Sequence, residues 1–241
     1  MATSGPAVAF ALDSVSFFVS VACLVPLVDI PPPRQGESGP AHVLRDVREA
    51  WGTVRALPWL WRTILTYALT NVTLVGPYSV ALPFLVTRHF HGQVGVLGLL
   101  YACFAGGYVV TDVWLGQRPH LRPRGPLIYG GLMGAGVFLA VLGLPVPIVA
   151  AALAAVLNSV ALEVSALTWT TTLQEMIAPA QLGRVSSIDL LGSYVLTPVG
   201  YGVVGWATDR WGPADVIMLG GALTVVLAVV GLFHPSIRHL T

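Results

Sequence analysis

Glu163 is a carboxylate placed near the middle of a run of apolar residues, 147–172. A charged side chain at the centre of a bilayer costs about 2.5–3.5 kcal/mol on insertion scales, so its presence there needs a chemical reason. Ser159, Glu163, Thr170 and Gln174 lie at offsets that an α-helix, turning 100° per residue, gathers within about 60° of arc. One face of that helix is therefore a polar stripe. It could line a wet cavity, with Glu163 carrying a proton or meeting a cationic substrate. It could equally hold a hydrogen-bonded glutamic acid that clamps two helices.

A second stripe, Thr63, Thr66, Thr70 and Thr73 with Asn71 beside it, runs through residues 60–86. Threonine can bond its own helix backbone, so this face reads either as cavity lining or as packing between helices. Pro77 and Pro83 in the same run predict a bent or broken helix. Asp189, Gly192, Ser193 and Gly200 share a face of residues 187–208, where small side chains favour close helix approach and packing. Asp13, with Ser16 and Ser20, reads as a paired structural carboxylate.

The elements that must hold these groups follow from composition. Of 241 residues, 55% are hydrophobic and 10% charged, and the mean hydropathy is +0.78. A soluble domain carries about 25% charged residues, so this chain belongs in a membrane. A spanning helix needs about 20 apolar residues, and seven stretches qualify: 6–29, 60–86, 94–116, 126–144, 147–172, 187–208 and 214–233. The first lacks the basic start and cleavage site of a signal peptide. Between the first two, Pro31 to Pro33 stop a helix, and Ala41 to Leu57 regains an amphipathic rhythm through Val43, Val47, Trp51 and Val54.

Arginine sets the orientation. If the runs alternate sides, Arg34, Arg45, Arg48, Arg55, Arg62, Arg118, Arg122, Arg124, Arg184 and Arg238 share one side. Arg88 and Arg210 lie on the other. The positive-inside rule then puts the C-terminus in the cytoplasm, and seven crossings put Met1 outside. The Thr-Asp-x-Trp pattern ends both the third run (Thr111 to Trp114) and the sixth (Thr208 to Trp211), an echo of inverted three-helix repeats.

Several chemistries drop out. All twelve basic residues are arginine, which excludes a Walker A lysine and a Schiff base. A net charge of +1 offers nucleic acid nothing. Cys23 and Cys103 sit in apolar runs and read as core residues. Asn71-Val72-Thr73 is a glycosylation sequon placed inside the bilayer. His89 and His91 are too few for a metal site. No nucleophile–base arrangement or acidic cluster marks an enzyme.

The stretch from Leu173 through Gln174, Glu175, Pro179, Gly183, Arg184-Val-Ser-Ser187, Asp189, Gly192 and Ser193 resembles the junction between helices ten and eleven of the major facilitator superfamily. The resemblance is to the drug- and siderophore-efflux branch typified by enterobactin and macrolide exporters, with Pro198-Val-Gly200 completing the motif. Gly5 to Phe17 looks like the start of that branch's sixth helix, and Asn71 to Pro83 like its seventh. The family's loop motif is degenerate after the third run: Tyr108 replaces a glycine ahead of Asp112, and Val113 replaces a basic residue.

The resemblance implies an all-α integral membrane protein of seven transmembrane helices, family helix six followed by the C-terminal six-helix bundle. Residues 1–30 would be helix six, 31–57 the cytoplasmic inter-bundle loop, and 58–241 the bundle. It further implies proton-coupled efflux of an amphipathic small molecule by alternating access, with no cofactor beyond a proton gradient. Glu163, Asn71, Ser159, Thr170, Gln174 and Thr70 would form the substrate and proton pathway. Asp112, Arg118, Arg184 and Asp189 would gate at the cytoplasmic loops. The expected setting is the cell membrane, with the lipid bilayer and a missing N-terminal bundle as partners. Alone, the chain is expected to be inactive: a truncated reading frame, half of a split transporter, or a non-transporting membrane protein that keeps the fold.

Overall fold

The computed structural model describes residues 5–27, 40–89, 94–118, 121–238 and 240, and every regular element among them is helical. By its internal contacts the chain forms two units, Met1–Arg45 and Asp46–Thr241. In the first, α1 (Gly5–Leu24) is an apolar helix whose Ser14, Ser16 and Ser20 hydroxyls donate to carbonyls of their own helix. Arg34 and His91 fall outside the described residues.

Elsewhere the order is α2 (Pro40–Ala56), α3 (Pro58–Thr70), α4 (Leu82–His89), α5 (Val94–Leu115), α6 (Arg124–Leu142), α7 (Ile148–Met176), α8 (Pro179–Tyr194), α9 (Thr197–Trp211), α10 (Pro213–Leu232) and the short α11 (Pro235–Arg238). Among the described residues, six helical stretches are long and apolar enough to cross a membrane: Pro58–Arg88, Gly95–Leu115, Arg124–Leu142, Ile148–Met176, Pro179–Trp211 and Pro213–Leu232. With the shorter apolar helix ahead of them, the chain is an all-α, multi-pass membrane protein.

The prolines shape two of the spans. Between α3 and α4 the helix continues through two π-helical turns, Asn71–Val75 and Pro77–Ala81, in which Gly76 N–H reaches Asn71 O and Leu82 N–H reaches Pro77 O. Proline has no N–H and crowds the carbonyl four residues back, and a wider turn absorbs both defects without ending the helix. The expected break in this run is therefore a local widening. The fifth span is interrupted at Val195 and Leu196, just ahead of Pro198. That span also starts earlier than the apolar run, because Pro179 opens α8 at a position where a missing N–H costs nothing.

Packing rests on small residues. α6 lies against α7 and α10, α5 against α7, and α3 against α8. A Cβ on Gly136 would stand 2.7 Å from Gly221 O, and one on Gly221 would stand 2.4 Å from Gly136 O, so the α6 and α10 backbones touch there. In lipid, where burial of apolar surface gives little drive, such close contact is what holds helices together. Gly212, at φ 95°, turns the chain from α9 into α10 in a conformation that favours glycine.

The amphipathic α2 forms as its periodicity predicts, and its second half packs on the bundle. Val54 is buried, Thr53 Oγ1 donates to Gln181 Oε1 at 3.3 Å, and Glu49 meets Arg184 at 3.5 Å.

Candidate functional site

Two apolar clusters divide the bundle by level. One gathers Leu74, Leu82, Leu100, Leu139, Ala155, Val204 and Ile217. The other gathers Leu60, Ile64, Tyr129, Leu173, Val185 and Ile237. Along α3 and its π-helical continuation, Tyr67 and Asn71 fall between Ile64 and Leu74; along α7, Leu162 to Thr170 fall between Ala155 and Leu173. Asp189 to Tyr194 fall between Val185 and Val204. These intermediate residues surround a cavity of about 270 Å³. Its depth in the fold thus follows from where the apolar runs are interrupted.

Asp189 is the carboxylic acid of the cavity wall. Trp169 Nε1 donates to both of its oxygens, at 3.2 and 3.1 Å, and Ser193 Oγ donates to Oδ1 at 3.4 Å. Opposite, Asn71 Nδ2 donates to Ser193 O at 2.8 Å, which ties the first π-helical turn to α8. Tyr67 stands one helical turn before Asn71 and bonds Ser165 Oγ at 2.7 Å. Its ring lies 6.0 Å from that of Trp169. Tyr108 from α5, Thr170 from α7 and Tyr194 from α8 complete the polar lining.

Glu163 faces α5, where its carboxyl reaches Asp112 within hydrogen-bonding range. Tyr108 neighbours both acids, and Tyr67 neighbours both Glu163 and Asp189. The two acidic positions therefore share one electrostatic neighbourhood through cavity tyrosines.

The structure brings Asn71 and Thr170 to the cavity and sets Glu163 beside it. Ser159 does not line it. That residue is fully buried, its hydroxyl donates to Val156 O, and it packs so tightly on α5 that a Cβ at Gly107 would overlap it. Thr70 is likewise buried and donates to Thr66 O. The rest of the threonine stripe bonds inward: Thr63 to Trp59 O and Tyr129 Oη, Thr66 to Arg62 O, and Thr73 to Thr224. Gln174 is exposed in the last turn of α7, beyond the cavity.

The expected gating group separates. Asp112 joins Glu163, Arg184 meets Glu49, and Arg118 stacks over the Trp114 ring at 4.4 Å. Asp189 belongs to the cavity, where packing had been expected, because the i, i+4 spacing to Ser193 turns both toward Trp169 and Asn71.

Sequence reasoning missed the rings around Asp189 and the ties at the end of the bundle where α6 begins. Arg124 pairs with Glu175, Arg62 bonds His234 and Ser236, and Leu240 O accepts from the amides of Arg124 and Gly125. The spacing of Tyr67 and Asn71 was a usable signal, since residues four apart share a helix face. The contact between Trp169 and Asp189 had none.

No solved structure matches this chain. An enterobactin exporter from Citrobacter koseri is 25% identical over 241 residues, an overlap that takes in 99% of this chain. The chain spans 56% of that relative's length. The profile of the Major Facilitator Superfamily matches residues 1–201, which include both helices contributing Asp189 and Trp169. A bundle of apolar helices parted at mid-height by a polar cavity is what that kinship leads one to look for, and the chain belongs to the Major Facilitator Superfamily.

Proposed function

We propose that this chain supplies one bundle of a secondary exporter, which moves an amphipathic small molecule out across the cell membrane by alternating access and is driven by a proton gradient. The observation that carries the reading is the polar cavity between four spans, at the level where both apolar clusters stop. Ionisable groups at that depth are costly, and in membrane proteins they mark substrate or ion pathways. Similarity to an enterobactin exporter supports outward transport.

Glu163 and Asp112 are the proposed proton carriers. A hydrogen bond between two carboxyls requires one proton, since neither carboxylate ion has a hydrogen to give. Loss of that proton leaves two negative charges in contact, which favours a different helix arrangement. A cavity that must open to each side in turn needs a second bundle to close against, supplied by further residues or by another chain. The 241 residues alone are accordingly expected not to transport. Ten of twelve arginines on one side support a cytoplasmic C-terminus.

The test is Glu163→Gln in a version carrying both bundles. Gradient-driven efflux is expected to vanish while the amount of protein in the membrane stays unchanged. Wild-type efflux in that variant would refute the assignment of Glu163.

A further inference from the structure

Of the cavity's twelve lining residues, Asp189 is the acid and none is basic, so the wall when ionised carries negative charge alone, and Tyr67, Tyr108, Trp169 and Tyr194 bring aromatic rings. Asp189 receives hydrogen bonds from an indole and a hydroxyl, both neutral, and among the described residues no basic side chain pairs with it. An anionic ligand would meet a repelling carboxylate and the negative faces of the rings. A neutral one would leave that carboxylate without a counter-charge in a low-dielectric setting. A cation satisfies both, because ring faces attract positive charge and do so best for quaternary ammonium groups that shed water easily.

We propose that the cavity receives a monovalent organic cation, its charge against Asp189 and its apolar body among the four rings. The proposal rests on the export reading of the same cavity and adds the class of molecule carried. Asn71 and Thr170 fit as neutral polar contacts for the remainder of the ligand.

The experiment uses the purified 241-residue chain and a pair of probes that differ in one atom. Benzyltrimethylammonium carries a positive nitrogen where its isostere neopentylbenzene carries carbon. Binding is read by quenching of tryptophan emission, with Trp169 in the wall as the nearest reporter. The cation is expected to bind roughly tenfold tighter than the isostere. Asp189→Asn, which keeps a hydrogen-bond acceptor for Trp169, should erase that preference. Asp189→Glu, which keeps the charge, should restore it, and Gly202→Leu, outside the cavity wall, should leave it as in the parent. Equal binding of the two probes, no binding of the cation, or a preference that survives Asp189→Asn would each overturn the proposal. Because that residue could also support the fold, each variant's melting profile is compared with the parent. An Asp189→Asn chain that melts early but still prefers the cation counts against the assignment.

Export is scored separately, as efflux from cells carrying both bundles. Asp189-dependent cation binding without efflux sinks the export reading and leaves the ligand class standing. Efflux of neutral or anionic compounds through a wall that ignores the cation does the reverse.

Discussion

α6 packs along a seam against α7 and against α10, whereas α3, α5, α7 and α8 meet around a space, and polar residues behave differently in the two. In the seam, Thr224 donates to Gly220 O and Asn158 Nδ2 donates to Ala135 O, so polar side chains are used to bind backbone. Around the cavity, Asp189 and Tyr67 bond side chains of another helix and leave surface toward the space. The difference lies in what stands opposite. A neighbouring glycine brings backbone within reach, while a neighbouring ring holds it away. One region is a scaffold and the other a working face.

The sharpest way to break that contrast is to separate the seam. Gly221→Leu places a branched side chain where even a Cβ would lie 2.4 Å from Gly136 O. We expect a near-complete loss of monodisperse protein on size-exclusion chromatography. Gly202→Leu, where a Cβ meets nothing within 4 Å, should behave as the parent. Equal yields from the two would mean the seam is as pliant as the cavity.

On the working face the expected effects are smaller. Asn71→Ala removes the bond to Ser193 O, and interhelical bonds of this kind average about 0.6 and reach about 1.7 kcal/mol in membranes. The melting temperature should fall by a few degrees, with a larger proportional loss in ligand binding. A fall in stability with unchanged binding would move Asn71 to the scaffold. Smallest of all is Thr70→Val, whose hydroxyl serves only its own helix. Stability should stay within about 0.5 kcal/mol and binding should not change. A clear binding defect would restore the threonine stripe as cavity wall.

The spans were legible because twenty apolar residues in a row have few other uses, and the amphipathic α2 because its period is unmistakable. The paired stripes were less so. A helical wheel reports which residues share a face but not what that face meets. Ser159 and Glu163 lie one turn apart on the same side of α7, yet Gly107 closes over the first while Asp112 stands opposite the second. Asp189 read as packing because its glycine and serine neighbours are typical of packed faces. Its real partner, Trp169, lies on the preceding helix, and a contact between helices leaves no mark in local spacing.

The first turn of α6 depends on the far end of the chain. Pro123 offers it no side-chain cap, and the amides of Arg124 and Gly125 are taken by the carbonyl of Leu240. A ribosome finishes α6 long before it reaches that residue. Until Leu240 emerges, water or lipid headgroups must stand in, so this corner of the bundle is sealed only after α7 to α11 have been made.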